Sequence, residues 1–449
     1  MPEQLSLDSW VELYSDHLEE WSRRFTKACD ACKVDGIIVF SGTEKQKFRD
    51  DSGYPFFVEP YFKAWLPLSS PNSALKILPG KTPLLVCAQK IDFWYAPLEI
   101  PVNFWTHHFE IRFVESMALL LGELGSPIAN LAAIGEDANT SMGFSSINDA
   151  KLLAYLDFYR AFKTPYEVAC IEESNRISAT GHAAVQTALT EEPCRRSEFD
   201  LNQIYCSATQ QREADLPYQN IVALNEHASI LHYQNMDRTP PEEFRSFLLD
   251  AGAEFNGYAS DVTRTHSSGL ESFDALISSM DTVQKRLCAG ARSGVSFVAL
   301  NDFAHRLLAD VLEEHKIVSC GAEDSYNLGI TKIFLPHGLG HLLGLQVHDA
   351  GGHLNTLEET GIPPPDEHPF LRLTRTLEPG FVITIEPGLY FIPSLLETLR
   401  SSSMKNMINW NRVDVLMPYG GIRIEDNILV TDTASRNLSR PALLQSGVL

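Results

Sequence analysis

The segment FLLDAGAEFNGYASDVTRTH carries the strongest local constraint on the fold. Its central Asn-Gly pair (256–257) is typical of a two-residue type I′ turn, in which both residues have positive φ. Pairing outward from this turn places Asp250 opposite Thr263 and Gly252 opposite Asp261. Since side chains alternate between the two faces of a strand, these four residues share one face. The hairpin therefore predicts two carboxylates on one patch, with a glycine that leaves room between them.

Two neighbouring carboxylates repel each other unless one of them is protonated or a cation binds between them. The alternative is that one aspartate caps the turn while the other points into solvent. Taken by itself, the hairpin leaves a metal site and this structural interpretation open.

Three further segments place polar residues in unusual settings. FLPHGLGHLLGLQVHD has His337 and His341 four residues apart, on one face if the segment is helical. FVITIEPGLYF ends an apolar strand at Glu386, where burial is costly for a charge without a partner. In GGIRIEDNILV, Arg423 and Glu425 alternate with isoleucines and share a face. For each of these charges, an ion pair between neighbouring strands is the structural alternative.

Together these segments supply five metal-ligand types in chain order, namely Asp250, Asp261, His341, Glu386 and Glu425. Four carboxylates balance two divalent cations in formal charge. Carboxylate oxygens with a single imidazole suit ions such as Mn²⁺ or Co²⁺ better than metals that prefer soft ligands. Two such ions, about 3.5–4 Å apart, can share a hydroxide and polarise a carbonyl. The residues therefore indicate a two-metal hydrolytic site.

The rest of the sequence predicts two domains, because 449 residues are too many for one ordinary core. Thr164 followed by Pro165 is typical of a helix start, and the pattern changes there. We place an N-terminal α/β domain at 1–165 and an α+β domain at 166–449. The N-terminal domain has apolar patterns that predict helices at 11–32 and 147–156 and strands at 36–40, 84–87 and 131–135.

The second domain alternates helix pairs with strands, and this order resembles an internal duplication. The predicted helices cover residues 166–189, 198–211, 273–292 and 300–314. The identity between the two halves is too weak to establish a duplication from the residues alone.

The charge pattern restricts the partners and the compartment. The formal net charge is −22 at pH 7, and a surface this acidic repels the phosphates of nucleic acids. No run of about 18 apolar residues predicts a membrane helix. The acidic, amphipathic N-terminus lacks the features of a secretory signal. We therefore expect a cytoplasmic protein that binds neither nucleic acid nor membrane.

The five residues, their order and their surroundings resemble the pita-bread metallopeptidases, in particular the long bacterial prolidases and organophosphorus acid anhydrolase. The resemblance covers nearly the whole chain. It rests on RDDSGYPFFVEPYFKAWLP, PYQNIVALNEHASILHY, LLDAGAEFNGYASDVTRT, HGLGHLLGLQVHDAGG, HPFLRLTRTLEPG, TIEPGLYFI and GGIRIEDN. It implies a pita-bread catalytic domain that hydrolyses Xaa-Pro dipeptides by attack of a hydroxide bridging two divalent ions, with Mn(II) expected. It also implies a side activity on organophosphorus esters.

The resemblance implies a role for each metal ligand. Asp261 and Glu425 would bridge both ions. Asp250 would bind one ion, and His341 and Glu386 would bind the other. Glu386 would also accept a proton from the attacking water and pass it to the leaving proline nitrogen.

Further residues gain catalytic and substrate roles only through the resemblance. His337 would lie beside the metals and the substrate, and Arg423 would hold its neighbours in place. His232, His348 and Arg372 would grip the C-terminal carboxylate of the substrate. An arginine can bind a carboxylate through two parallel hydrogen bonds, which suits a dipeptide whose carboxylate lies close to the scissile bond.

The remaining implied residues line the pocket or reach across a subunit interface. Tyr218 and Leu371 resemble pocket-wall residues. Asp51 and Trp94 lie in stretches that reach the active site of the partner subunit in relatives, so we expect a homodimer. Arg375 is close enough in sequence to take the place of the clamp arginine.

Two alternative functions use the same fold. An aminopeptidase P would remove the residue before proline from longer peptides, but such peptides have no carboxylate at the position of the clamp. A non-catalytic peptide-binding relative would have lost metal ligands, and all five are present. The sequence has no GxSxG, no GxxxxGK[ST] and no HExxH, which disfavours serine hydrolases, P-loop enzymes and one class of zinc peptidases.

Overall fold

A computed structural model of the chain describes residues 5–449 apart from 91, 95, 101, 126–129, 137, 139–141, 192–193 and 358–360. The chain divides into two compact units. Unit 1 comprises Met1–Cys170 and Thr356–Gly361. Unit 2 comprises Ile171–Asn355 and Ile362–Leu449.

Unit 1 is built on a six-stranded sheet of mixed direction in the order β4-β3-β2-β1-β5-β6. Its strands are β1 (Gly36–Phe40), β2 (Ser73–Ile77), β3 (Leu84–Ala88), β4 (Glu110–Val114), β5 (Leu131–Ile134) and β6 (Ser146–Ile147). All residues of β1 are buried, as expected for a central strand that is covered on both faces and is therefore apolar throughout. The predicted strands at 36–40, 84–87 and 131–135 are confirmed.

The helices of unit 1 are α1 (Leu7–Cys32), α2 (Pro60–Trp65), α3 (Met117–Glu123) and α4 (Ala150–Arg160). Ser6 caps the start of α1 by accepting a hydrogen bond from the amide of Ser9. The helix ends where Lys33 adopts the left-handed conformation. The helix predicted at 11–32 is confirmed, and the one predicted at 147–156 begins later, after the Asp149 cap.

Unit 2 repeats the order of a helix pair followed by strands. Its helices are α5 (Pro165–Glu191), which begins in unit 1, and α6 (Glu198–Thr209), α7 (Glu271–Gly290), α8 (Phe297–Glu314), α9 (Ala322–Asn327), α10 (Thr331–Phe334), α11 (Pro393–Arg400), α12 (Trp410–Leu416) and α13 (Arg440–Ser446). Thr164 and Glu167 exchange side-chain and main-chain hydrogen bonds at the start of α5. This capping box confirms the predicted helix start.

The strands of unit 2 are β7 (Ile221–Leu224), β8 (Ser246–Asp250), β9 (Glu254–Phe255), β10 (Tyr258–Ala259), β11 (Thr263–Ser267), β12 (Val382–Ile385), β13 (Gly388–Tyr390), β14 (Gly421–Arg423), β15 (Asp426–Val430) and β16 (Ser435–Asn437). They form two three-stranded sheets, β11-β8-β7 and β12-β15-β16, and two short pairs, β9-β10 and β13-β14.

The segment 423–427, where β14 passes into β15, joins these sheets. Glu425 forms an antiparallel bridge with Thr263 of β11, and Asn427 exchanges hydrogen bonds with the main chain of Asp261. On its other side, the same segment pairs with β13 through β14 and with β12 through β15. Residues from distant parts of the chain therefore meet along this segment.

The core of unit 2 packs against the hairpin that carries Asp250 and Asp261. Residues of α5 and α6 pack against β7 and β8 in a buried cluster that includes Val185, Leu201, Val222 and Leu249. From α6, Tyr205 donates its hydroxyl to the carbonyl of Gly252, at 2.9 Å. The hairpin is thus fixed at its main chain as well as by packing.

Among the described residues, no helix is both long enough and apolar enough to cross a membrane.

The first prediction concerns His17, which is fully buried in unit 1. Its two ring nitrogens hydrogen bond with Thr164 Oγ1 and the carbonyl of Ala64, both at 2.8 Å. Burial lowers the pKa of this imidazole, so the unfolded chain binds more protons near pH 6. The contribution of His17 to stability is therefore complete above about pH 6.5 and decreases as the pH falls.

We expect His17→Gln to show a smaller drop in melting temperature between pH 7.5 and pH 5.5 than the parent protein, measured by scanning calorimetry. The exposed His107 provides the matched control, because His107→Gln removes an imidazole that is already hydrated. Equal pH dependence in His17→Gln and the parent would show that His17 is not acid-sensitive.

Candidate metal centre

The hairpin of β8 and β11 has the register that the sequence predicts. Thr263 pairs with Asp250 and Tyr258 with Phe255. Asn256 and Gly257, between the two strands, both have positive φ, at 50° and 88°. The type I′ turn is therefore confirmed.

Gly252 creates the space that this hairpin needs. A Cβ atom added at Gly252 would lie 1.9 Å from the carbonyl oxygen of Ser260 and 2.9 Å from the ring of Tyr218. The small residue lets Tyr218 reach over the strand and donate its hydroxyl to Asp250 Oδ1 at 2.8 Å. Asp250 and Asp261 are only 8% and 6% exposed, so the turn-capping alternative, with one carboxylate in solvent, is wrong.

His341 lies on an extended segment that adds to β12. The amide of Thr384 donates to the carbonyl of His341 at 2.9 Å, and Leu342 forms an antiparallel bridge with Ile383. The helical arrangement considered for residues 337–341 is therefore wrong. The glycines in HGLGH permit close approach of the main chains, which an extended segment at a sheet edge requires.

The surroundings of His341 fix its tautomer. Its Nδ1 donates to the carbonyl of Leu342 at 2.9 Å, which directs Nε2 toward Asp261 and Glu386. The segment lies so close to β12 that a Cβ at Gly340 would be 2.1 Å from the carbonyl oxygen of Thr384. An imidazole with this orientation can bind a metal through Nε2.

The two glutamates approach His341 and Asp261 from different strands. Glu386 follows β12 directly, and its Oε1 accepts a hydrogen bond from Thr384 Oγ1 at 3.3 Å. Glu425 is 2% exposed, and its Oε2 accepts from Thr263 Oγ1 at 2.7 Å. Its other oxygen, Oε1, is buried and has no hydrogen-bond partner among the described residues.

Arg423 connects the metal-ligand candidates to one another. Its guanidinium donates to Asp250 Oδ2 at 2.6 Å, to Thr263 Oγ1 at 3.3 Å and to the hydroxyl of Tyr390 at 3.0 Å. The Tyr390 hydroxyl in turn hydrogen bonds with His337 Nε2 at 2.8 Å, while His337 Nδ1 lies 2.8 Å from the carbonyl of Gly338. Both nitrogens of His337 are therefore occupied within the protein.

Tyr390 is a site residue that the sequence analysis missed. It stands two residues after Gly388 in EPGLYF, and Gly388 pairs with Arg423 in the hairpin of β13 and β14. The period of a strand would have placed Tyr390 on the same face as Arg423, since residues two apart share a face. An aromatic residue in an apolar strand gives no other signal of a polar role.

Burial and mutual repulsion act strongly on the carboxylates. Burial raises the pKa of Glu386 to about 7, against the opposing effect of His341. The pKa of Glu425 is raised well above its usual value by burial and by the charges of Asp261 and Glu386. Arg423 donates to Asp250 alone among the four carboxylates, so protonation or a bound cation is needed to relieve the repulsion among the rest.

The residues present fit a bound divalent cation. Ligand atoms of Asp261, His341 and Glu425 lie within 4.8 Å of one another. His341 Nε2 is 3.4 Å from Asp261 Oδ2 and 3.5 Å from Glu386 Oε1, close to the separation of two ligands that each lie about 2.1 Å from one ion. A cation would accept the unpartnered oxygen of Glu425 and relieve the repulsion among the carboxylates.

The predicted substrate residues of unit 2 lie around this cluster. The ring of His348 is 4.5 Å from that of His341 and perpendicular to it. Burial, the His341 charge and the Arg372 charge lower the pKa of His348 to about 3, and His232 contributes in the same direction. His232 and Arg372 are both exposed. The four side chains therefore form one electrostatic neighbourhood, with two of them open to solvent.

Leu371 and Arg375, which neighbour Arg372 in the sequence, are both buried. Leu371 is buried, and its Cα would lie 2.9 Å from a Cβ at Gly338. Arg375 is 1% exposed, and its guanidinium lies 3.6 Å from Glu378 and over the ring of Phe381. Because its charge is already engaged, Arg375 is less suited than the exposed Arg372 to binding a substrate.

Asp51 and Trp94 belong to unit 1 and are both exposed. Trp94 has 74% of its surface in solvent, which is unusual for a large aromatic side chain.

Sequence comparisons identify relatives of both units. Residues 169–432 match metallopeptidase family M24, and residues 12–158 match the N-terminal domain of Xaa-Pro dipeptidase. The Xaa-Pro dipeptidase of Shewanella pealeana is 43% identical over 437 residues, which cover 97% of this chain and 99% of that protein. The Xaa-Pro dipeptidase of Stenotrophomonas maltophilia is 42% identical, with 96% and 97% coverage.

Solved structures share the fold. Proline aminopeptidase P II from Yersinia pestis superposes with a TM-score of 0.70 at 21% identity, covering 94% of this chain and 96% of that one. Aminopeptidase P from E. coli, with the inhibitor Pro-Leu, gives a TM-score of 0.69 at 19% identity, with 95% and 99% coverage. The predicted combination of an α/β N-terminal domain and a pita-bread catalytic domain is confirmed.

The second prediction concerns Asp261. We expect Asp261→Asn to weaken metal binding at least about 100-fold, since changes next to metal ligands already cost 10–100-fold and this change removes a charged ligand. Metal content would be measured by mass spectrometry after dialysis at controlled free Mn²⁺. Asp310→Asn, at an exposed position of α8, removes the same charge away from the cluster and should keep the parental metal content. Equal metal content in the two variants would exclude Asp261 as a ligand.

Proposed function

Because the chain belongs to metallopeptidase family M24, we propose that it is a metal-dependent dipeptidase that hydrolyses Xaa-Pro dipeptides. Proteins named Xaa-Pro dipeptidase are 41–43% identical to it over nearly their whole length. The cluster of four carboxylates with a histidine whose Nε2 faces Asp261 and Glu386 is the observation that carries the chemical part of the proposal.

The metal ligands proposed are Asp250, Asp261, His341, Glu386 and Glu425. Divalent cations bound there would activate a water molecule and polarise the scissile carbonyl. We propose Mn²⁺ for both ions, since oxygen ligands predominate and one imidazole is present. Arg423 and Thr263 fix the orientations of the Asp250 and Glu425 carboxylates through hydrogen bonds, so both would be preorganised to hold the ions.

Proton transfer is the proposed second role of Glu386. The amide nitrogen of proline is a poor leaving group unless it is protonated as the bond breaks. Glu386 lies next to His341, with Oε1 3.5 Å from Nε2, and its carboxylate would take a proton from the attacking water and return it to that nitrogen. His337, whose Nδ1 lies 3.8 Å from Glu386 Oε2, stands beside this carboxylate, and Thr384 Oγ1 donates a hydrogen bond to it.

Recognition of a dipeptide requires a cationic group at the far side of the scissile bond. We propose that Arg372, with His232 and His348, binds the C-terminal carboxylate of the substrate. The exposed guanidinium of Arg372 is near enough to the metal cluster to affect the pKa of His348. Tyr218 and Leu371 would form the wall of the same pocket. This arrangement disfavours the longer peptides that an aminopeptidase P takes.

The third prediction tests the reaction and the substrate class together. After removal of metal with a chelator, the protein should be inactive, and Mn²⁺ should restore hydrolysis of Leu-Pro and Ala-Pro but not of Ala-Pro-Ala. Release of proline would be followed in parallel with Mn²⁺, Co²⁺ and Zn²⁺. Cleavage of Ala-Pro-Ala as fast as Ala-Pro would contradict the dipeptidase and favour an aminopeptidase P. Higher activity with Co²⁺ or Zn²⁺ than with Mn²⁺ would contradict only the choice of ion.

The fourth prediction concerns Arg372. A hydrogen bond to a charged group contributes about 2 kcal/mol, so Arg372→Ala should reduce kcat/KM for Ala-Pro by a factor of about 30, with parental metal content. Arg372→Lys should recover part of the loss. The exposed Arg292 gives a control, since Arg292→Ala removes an equal charge elsewhere in unit 2. If Arg372→Ala keeps the parental kcat/KM, another residue binds the carboxylate.

The proposed homodimer would bring Asp51 and Trp94 of one subunit to the active site of the other. The exposure of the Trp94 ring supports a contact outside its own chain, because aromatic side chains of this size are enriched at interfaces. Sedimentation equilibrium should give a mass of about twice the chain mass of 50.1 kDa. A mass of one chain at micromolar concentration would contradict the proposal. The cytoplasmic location and the side activity on organophosphorus esters stay predictions.

A further inference from the structure

Glu198, the first residue of α6, is a buried carboxylate outside the metal cluster. It is 1% exposed and accepts four hydrogen bonds. Its Oε1 accepts from the amide of Leu224 and from His227 Nδ1, both at 2.8 Å. Its Oε2 accepts from the hydroxyl of Tyr233 at 2.6 Å and from the amide of Asp237 at 2.7 Å.

The four hydrogen-bond donors around Glu198 decide whether it belongs to a metal site or to a hydrogen-bonded structural contact. Glu198, His227 and Asp237 have ligand atoms within 4.8 Å of one another, which is a spacing that a cation could use. A carboxylate has about four acceptor positions, and all four of Glu198 are already taken by N–H and O–H donors. The arrangement is therefore a hydrogen-bonded anchor and not a second metal site.

The Glu198 carboxylate holds together the two ends of one loop. The four donors come from both ends of the stretch that connects β7 to residue 237, and we call residues 225–236 the His232 loop. Within it, the rings of His227 and Tyr233 stack with centroids 4.4 Å apart and planes 23° apart. Tyr233 is buried, whereas the adjacent His232 is exposed. One carboxylate thus fixes the residue next to an exposed histidine.

We propose that Glu198 is a positioning residue for substrate recognition, which holds the His232 loop so that His232 meets the carboxylate of the dipeptide. The inference rests on the proposed function, in which His232 binds that carboxylate. A hydrogen bond between an imidazole and a carboxylate depends on placement to within about 0.5 Å. An unanchored loop would present His232 in many positions, and binding would weaken while the reacting groups stayed in place.

The test compares Glu198→Gln with Glu226→Gln. Glutamine keeps the size of Glu198 but turns an NH₂ group toward donors, so the anchor is broken. Glu226 is exposed on the same loop, and its substitution removes the same charge without breaking the anchor. For Ala-Pro, we expect Glu198→Gln to raise KM about ten-fold, with kcat within about two-fold and unchanged metal content. Glu226→Gln should match the parent in all three measurements.

A substrate without the carboxylate separates positioning from general destabilisation. For Ala-Pro amide, His232 has no carboxylate to bind, so Glu198→Gln and the parent should have the same KM. The double variant Glu198→Gln with His232→Ala should have the KM of His232→Ala alone for Ala-Pro. Additive effects in the double variant, or an equal rise of KM for the amide, would overturn the inference.

Two further comparisons keep the outcomes distinct. If Glu198→Gln does not fold, Tyr233→Phe replaces it, because this variant removes one hydrogen-bond donor to Glu198 and keeps the stacked ring. Tyr233→Phe should raise the KM for Ala-Pro but not for the amide. An unchanged KM for Ala-Pro would overturn the inference. A parent protein that cleaves no Xaa-Pro dipeptide would overturn the proposed function. An active parent whose KM for Ala-Pro is unaffected by His232→Ala would overturn the role of His232, and this inference with it.

Discussion

Repulsion among four clustered carboxylates, of which Asp250, Asp261 and Glu425 are buried, is the constraint on which unit 2 is organised. Asp250, Asp261, Glu386 and Glu425 come from different strands, and their charges cannot stay together in a protein interior without compensation. Arg423 supplies one positive charge directly to Asp250. Either protons or cations must relieve the remaining repulsion. Cations bound at the proposed ligands would link folding to metal binding, because they would stabilise the arrangement that brings the carboxylates together.

The framework that resists this repulsion is made of main-chain hydrogen bonds. Segment 423–427 lies between β11 on one side and β12 and β13 on the other, and it brings Arg423 and Glu425 to the hairpin that carries both aspartates. Thr263 connects the two by accepting from Arg423 and donating to Glu425. Since one hydroxyl group serves both charges, the orientations of Arg423 and Glu425 depend on each other.

Much of this could be predicted from local patterns, and the exceptions have a common cause. The Asn-Gly turn fixed the register of the hairpin, so the convergence of Asp250 and Asp261 followed from strand period alone. The spacing of four between His337 and His341 left the conformation of their segment open, because only the pairing with β12 decides between a helix and an extended segment. Tyr390 and Glu198 escaped notice since their partners, Arg423 and the His232 loop, are distant in sequence.

The close approach of residues 339–343 to β12 has a consequence for substitutions at Gly340. Main-chain hydrogen bonds from Thr384 and Glu386 hold this segment, and the absence of a side chain at Gly340 removes any flexible spacer between the two main chains. The main chains that carry His341 and Glu386 are therefore held at one separation. A side chain at position 340 would meet the carbonyl oxygen of Thr384, so it would push residues 339–343 away from β12 and move the His341 imidazole away from the carboxylates with which it could share an ion.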